Sequence, residues 1–239
     1  MATISETGHA KNVANLHKLI EQVSVYAQYN PPVENLSITN LQTLYTAALA
    51  KLSEVEEKRN AHKNATAQRK LAFESLKPKC TRIINFLEIL ELTEGTRNHA
   101  RSLNRLIQGG RKHSTPSVAE NETPVRTIST SRQSYTQQAD NFGILLQLLQ
   151  SIPAYMPNEE ELKLTNLETY RATLVNATNT TDQTEAELNQ KFIERDQLLY
   201  DDNTGLYNIA QNVKKYVKSL YGAKAPEYEN ISKIKFNKR

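Results

Sequence analysis

The sequence predicts an all-α fold, an elongated helical bundle built from two tandem, pseudo-twofold-related three-helix repeats, each with a long central helix flanked by two shorter ones. Three observations carry this. Helix breakers are scarce, with 7 Gly and 8 Pro in 239 residues, and Ala, Leu, Gln, Glu and Lys, all strong helix formers, are abundant. Apolar residues recur at three-four spacing, the period of one helical face. The chain also repeats itself: Leu36-Ser-Ile-Thr-Asn-Leu-Gln-Thr43 returns as Leu162-Lys-Leu-Thr-Asn-Leu-Glu-Thr169. A shift of 126 positions also superposes Asn15 on Asn141, Leu19 on Leu145, Tyr29 on Tyr155, Pro31 on Pro157, Arg69 on Arg195 and Ile83 on Ile209, without a gap from about residue 14 to residue 94. Two copies are too few to stack as a solenoid, so they are expected to pack on one another.

Each element has a local reason. Residues 10–28 place Leu16, Leu19, Ile20, Val23 and Tyr26 on one helical face, and Asn30-Pro31-Pro32 ends that helix because proline disfavours helical geometry in the residue before it. Thr39 with Gln42, and Thr165 with Glu168, have the spacing of a capping box. From Asn40 to about Leu76, and from Asn166 to about Tyr200, no Gly or Pro occurs, so each copy has one long helix of roughly 54 Å at 1.5 Å per residue. Breaks at Lys77-Pro78 and at Asp201–Gly205 precede third helices at about 79–93 and 205–221. Joined to the long helix by short turns, the first and third helices are expected to run antiparallel to it and to lie end to end along it. Residues 97–108 form a short amphipathic helix stopped by Gly109-Gly110, Gly222 caps the third helix of the second copy, and Pro226 starts another. Residues 111–134, rich in Ser and Thr with Pro116 and Pro124, read as a linker. The expected organisation is therefore repeat 1 over 1–110, a linker over 111–134, and repeat 2 over 135–239 with a basic C-terminal tail.

The overall charge of +4 is mild, but residues 97–133 carry seven basic residues against Glu120 and Glu122, a net of +5. A lone cysteine, Cys80, excludes an intrachain disulfide and a Cys-based zinc site. The N-terminus has no apolar secretory run. The most apolar stretch, Phe142 to Met156, is interrupted by Gln147, Gln150 and Pro153 and is too short to span a bilayer. A cytoplasmic protein is expected, with membrane insertion through that stretch as a weak alternative.

Chemistry-bearing motifs are few. His9, His17, His62, His99 and His113 stand apart from one another, with no metal-ligand spacing. There is no phosphate-binding glycine loop and no nucleophile elbow. Neither an enzyme nor a cofactor or metal is expected. Midway along the long helices the apolar face gives way to Arg59, His62 and Arg69 in one copy and to Glu185 and Arg195 in the other. One reading is a polar layer between the repeats, with Arg59 opposite Glu185. The plainer and preferred reading is a less buried middle whose charged heads reach water on long stems. Arg97, Arg101 and Arg105, four residues apart, form a basic stripe that Arg111 and Lys112 extend, and the tail adds Lys233, Lys235, Lys238 and Arg239. These residues could dock an acidic protein or a polyanion, although the modest net charge argues against strong nucleic-acid binding.

The ending Lys215-Tyr-Val-Lys-Ser-Leu-Tyr-Gly222, followed by Ile231-Ser-Lys-Ile-Lys-Phe236, resembles segments of uncharacterised bacterial helical proteins. That resemblance implies an all-helical bacterial chain and says nothing of an activity, since none is attached to those proteins. The expected function is structural or scaffolding, with self-assembly as the expected mode and a polyanion- or acidic-partner-binding module as the alternative.

Overall fold

The computed structural model describes residues 4–109 and 133–238, with side chains from residue 8 onward. Among these the chain is all-helical and no strand occurs. The helices are α1 (Ile4–Ser24), α2 (Ile38–Glu74), α3 (Leu76–Glu88), α4 (Glu94–Gln108), α5 (Tyr135–Gln150), α6 (Leu164–Tyr200), α7 (Leu206–Tyr221) and α8 (Pro226–Ser232). Short 3-10 turns at Glu34–Leu36 and Glu160–Leu162 lead into α2 and α6. The linker expected at 111–134 lies outside the described residues except for Gln133 and Ser134, and Ser134 caps α5 by accepting from the Gln137 amide.

The entry into each long helix is built twice in the same way. Tyr29 Oη donates to the Leu36 carbonyl at 2.7 Å and Asn40 Nδ2 to the Glu34 carbonyl at 2.8 Å. The positions 126 residues later repeat both bonds: Tyr155 to Leu162 at 2.9 Å and Asn166 to Glu160 at 2.5 Å. Burial lifts the Tyr155 hydroxyl to about 12, so it remains a donor. The 3-10 turn starts each helix earlier than the capping boxes imply. Ser37, not Thr39, caps α2 by accepting from the Asn40 amide, and Thr39 and Thr165 sit inside the first turn, where their carbonyls accept from Thr43 and Thr169.

The chain condenses into two compact units. Unit 1 comprises residues 1–62 and 184–239; unit 2 comprises residues 63–183. Each unit therefore takes helices from both halves of the sequence. The core of unit 1 sets Leu16, Leu19 and Val23 of α1 against Leu41 of α2 and Ala210, Val213 and Val217 of α7. In unit 2, Leu76, Ile83 and Leu87 of α3 pack with Phe142, Leu145 and Leu149 of α5, Ala100, Leu103 and Ile107 of α4, and Leu167 and Leu174 of α6. Burying a side chain of this size contributes about 1.5–3 kcal/mol, so these faces fix which helices meet.

The third helices do not fold back on the long ones as expected. In unit 2, Ala72 and Ser75 bond to Tyr170, Lys79 and Arg82 pair with Glu161, and Phe86 meets Tyr155 edge-on. As the chain advances from 72 to 86 its partners retreat from 170 to 155, so α3 carries on in the direction of α2. The cause is local. The break is the single residue Ser75, itself helical at φ −86 and ψ −6, and its carbonyl still accepts from the Lys79 amide. Pro78 falls in the first turn of α3, where an amide donor is not needed. Unit 1 behaves alike: Lys58, Glu54 and Lys51 oppose Glu187, Lys191 and Glu194 in turn, and Asn30 then opposes Tyr216 of α7. There the connection is a turn knotted by Asp201, whose Oδ1 accepts from the Asn203 and Thr204 amides and the Thr204 hydroxyl. Gly222 (φ 93) ends α7 and Pro226 opens α8, as the sequence indicates.

Candidate functional site

The basic stripe is largely occupied by its own neighbours. Arg101 makes a two-pronged bond to Glu88 at 2.7 and 2.8 Å, which holds the Glu88 carboxyl below its ordinary range. Arg97 pairs with Glu94 at 3.4 Å. Arg105 is exposed on α4, and so are Lys233 and Lys235 of the tail. Lys238 pairs with Asp202 at 3.1 Å. Arg111, Lys112 and Arg239 lie outside the described residues.

The residues expected to form a polar layer are only partly brought together. In unit 1 the Arg59 and Arg195 guanidinium carbons lie 5.6 and 5.1 Å from the centre of the Phe192 ring. Arg195 is 2% exposed, and its Nε and Nη2 both donate to Asp196 Oδ1, at 2.9 and 2.7 Å. Arg59 pairs with Glu56 one turn earlier on its own helix, and Glu185 is exposed. His62 Nδ1 lies 3.4 Å from the Thr184 hydroxyl. In unit 2, Arg69 lies over the Tyr135 ring at 4.5 Å and within 3.8 Å of Asp182. All three arginines are at least partly buried. They lie on aromatic faces, an arrangement worth about 0.5–2 kcal/mol depending on desolvation.

Two polar groupings in unit 1 were not legible in the sequence. The first is a buried cluster at the start of α1 that holds the C-terminal segment. Asn12, 1% exposed, donates to the Asn237 carbonyl at 2.9 Å, accepts from the Asn237 amide at 3.0 Å and donates to Tyr200 Oη at 3.2 Å. Asn15 donates to the Lys235 carbonyl at 2.7 Å, and Lys214 to that of Ile234. Tyr200 Oη also lies at hydrogen-bond distance, 2.7 Å, from His9 Nδ1. On its other side His9 Nε2 lies 4.0 Å from Asp196. The segment's alternation is visible in hindsight, since Ile234 and Phe236 turn inward while Lys233 and Lys235 turn outward.

The second is a closed ring of four charges. Lys51 binds Glu54 at 2.9 Å and Glu194 at 2.8 Å, and Lys191 binds the same two carboxylates at 2.9 Å each. The two lysines hold the Glu194 carboxyl down to about 2. The Lys51–Glu54 and Lys191–Glu194 pairs have single-helix i,i+3 spacing, but only the register of α2 against α6 closes them into a ring.

Among the described residues no group of three or more His, Cys, Asp or Glu could hold a metal ion, and no helix is long and apolar enough to cross a membrane. Cys80 is buried, and burial pushes its thiol up to about 12, far from the thiolate that nucleophilic chemistry needs. Both polar groupings are arrangements in which donors meet acceptors within the chain. Their chemistry is clamping, of a tail in one case and of two helices in the other. No family model, no curated protein and no solved structure matches this chain.

Proposed function

We propose that this chain is a non-enzymatic helical scaffold protein made of two tandem copies of one three-helix segment, acting in the cytoplasm by associating with protein, first of all with further copies of itself. The observation that carries this reading is the use to which its polar side chains are put. Asn12 and Asn15 hold the 235–237 segment, with Tyr200 set between Asn12 and His9, Arg59 and Arg195 lie on Phe192, and Lys51, Glu54, Lys191 and Glu194 tie one helix to another. Such side chains set shape, and shape is what a scaffold offers. The duplication is supported by the two hydrogen bonds that recur 126 positions apart at the entries to α2 and α6. A buried free thiol at the only cysteine suits a reducing compartment.

Light scattering of the purified chain over about a hundredfold range of concentration tests the self-association reading. The expected result is a mass that rises with concentration; a monomer throughout would overturn it.

The alternative, docking of a polyanion or an acidic partner, rests on Arg105, Lys233 and Lys235, which are exposed. It is weakened by the carboxylates already bound to Arg97, Arg101 and Lys238. Heparin binding that is lost in Arg105→Ala, and that weakens steeply with salt, would favour it.

A further inference from the structure

Eight large apolar side chains are exposed among the described residues, and four of them lie in the loops that close the two units. Val25 (75% exposed) and Val33 (53%) belong to unit 1; Ile89 (77%) and Met156 (79%) belong to unit 2. Aromatic side chains pack beside these exposed groups. In unit 1, Tyr26 and Tyr29 meet Tyr221 and Tyr216 edge-on, and Tyr216 Oη donates to the Asn30 carbonyl at 2.7 Å. In unit 2, Phe86 meets Tyr155 edge-on at 5.4 Å. These are therefore shaped faces that expose apolar groups.

The two faces stand at corresponding places in the repeat and carry opposite charge. Where unit 1 has Lys215 and Val33, unit 2 has Ile89 and Glu159, 126 positions away. On the unit 1 face Lys215, Lys218 and Lys224 are exposed, and none is paired with a carboxylate among the described residues; the acids of this region are Glu34 in the loop and Glu227 of α8, whose carbonyl accepts from Tyr26. On the unit 2 face Glu91 and Glu159 are exposed and likewise without an ion pair. The other acids there, Glu88, Glu160 and Glu161, are neutralised by Arg101, Lys163 and Arg82.

We propose that the loop face of unit 1 in one copy docks on the loop face of unit 2 in the next, a head-to-tail contact between identical chains. This rests on the self-association reading above and names its surface. Like faces repel, because lysines would meet lysines or glutamates meet glutamates. Unlike faces bring lysines to carboxylates and bury Val25 and Val33 against Ile89 and Met156. Such a contact uses different surfaces on its two sides, so each added copy leaves one of each face open, and growth continues unless a ring closes. Its charge component makes association weaken as salt rises.

Two reversed variants test it by sedimentation velocity in low salt. Lys218→Glu with Lys224→Glu makes both faces of a copy acidic, and Glu91→Lys with Glu159→Lys makes both basic. Each variant alone should lose association, whereas an equimolar mixture should recover wild-type association, since every altered face then meets its opposite. Either variant assembling alone like the wild type, or a mixture that stays monomeric while the wild type assembles, overturns the assignment of the faces and leaves the self-association reading standing. A wild type that stays monomeric at every concentration overturns both.

Discussion

Asn12→Ala should loosen the C-terminal segment by an amount that depends on whether that segment is present. In the full chain the substitution removes the two bonds to Asn237 and the one to Tyr200 Oη. At about 1 kcal/mol for a typical intramolecular bond the cost is roughly 2–4 kcal/mol. In a chain ending at Ser232, the Asn237 bonds are already gone and only the Tyr200 bond remains to lose, for about 1 kcal/mol. The two changes therefore couple by about 2 kcal/mol, well above the few tenths expected of independent sites. Hydrogen exchange of the α1 and α7 peptides in increasing urea, followed in the four chains of the cycle, reads this out in unit 1 alone. Additive effects, or an Asn12→Ala chain as protected as the wild type, would refute the clamp.

The Glu194 carboxyl, held at about 2 by its two lysines, keeps its contribution at all pH values above the ordinary carboxylate value of 4.5 and loses it only as pH falls toward about 2. Carboxyl NMR should show that low midpoint, and Lys51→Met with Lys191→Met should return it toward 4.5; a midpoint near 4.5 in the wild type would mean the ring does not persist in solution. Gly205→Ala should destabilise by about 1–3 kcal/mol, because an added Cβ would lie 2.5 Å from the Asp201 amide nitrogen and 2.6 Å from its carbonyl oxygen. Gly222→Ala, which meets nothing within 4 Å but would hold a side-chain-bearing residue at φ 93 and ψ 163, a region open essentially to glycine alone, should cost a comparable amount, about 1–3 kcal/mol; urea midpoints of the two variants give both costs. Cys80, with its thiol raised to about 12 by burial, should resist a thiol reagent at pH 8 in the native protein and react fully once urea unfolds it.

Periodicity and the 126-residue offset made the helices legible, because an apolar stripe and the scarcity of Gly and Pro are properties of a single segment. Gly222 and Pro226 were read correctly for the same reason, since each acts on its own backbone. Direction was not legible. Whether Lys77-Pro78 reverses the chain depends on Ser75, which takes a helical conformation and lets α3 continue where a reversal was expected. The helix start slipped from Thr39 to Ser37 because a 3-10 turn, stabilised by Tyr29 and Asn40 from outside the cap, precedes it. The candidate sites divide likewise. Arg97, Arg101 and Arg105 do share a stripe, but the glutamates that occupy two of them come from α3 and from the first turn of α4. The burial of Arg195 and its seat on Phe192 depend on packing that a pattern of apolar positions leaves open, and the clamp on Asn237 joins residues 225 apart in sequence.

That each compact unit is assembled from both halves of the sequence is tested most directly by splitting the chain. Residues 1–110 and 133–239, expressed separately and mixed in equal amounts, should be poorly helical and unfold without cooperativity when alone, and should regain the helical circular dichroism and cooperative unfolding of the intact chain when combined. Either fragment folding cooperatively by itself to its full share of helix would contradict the account.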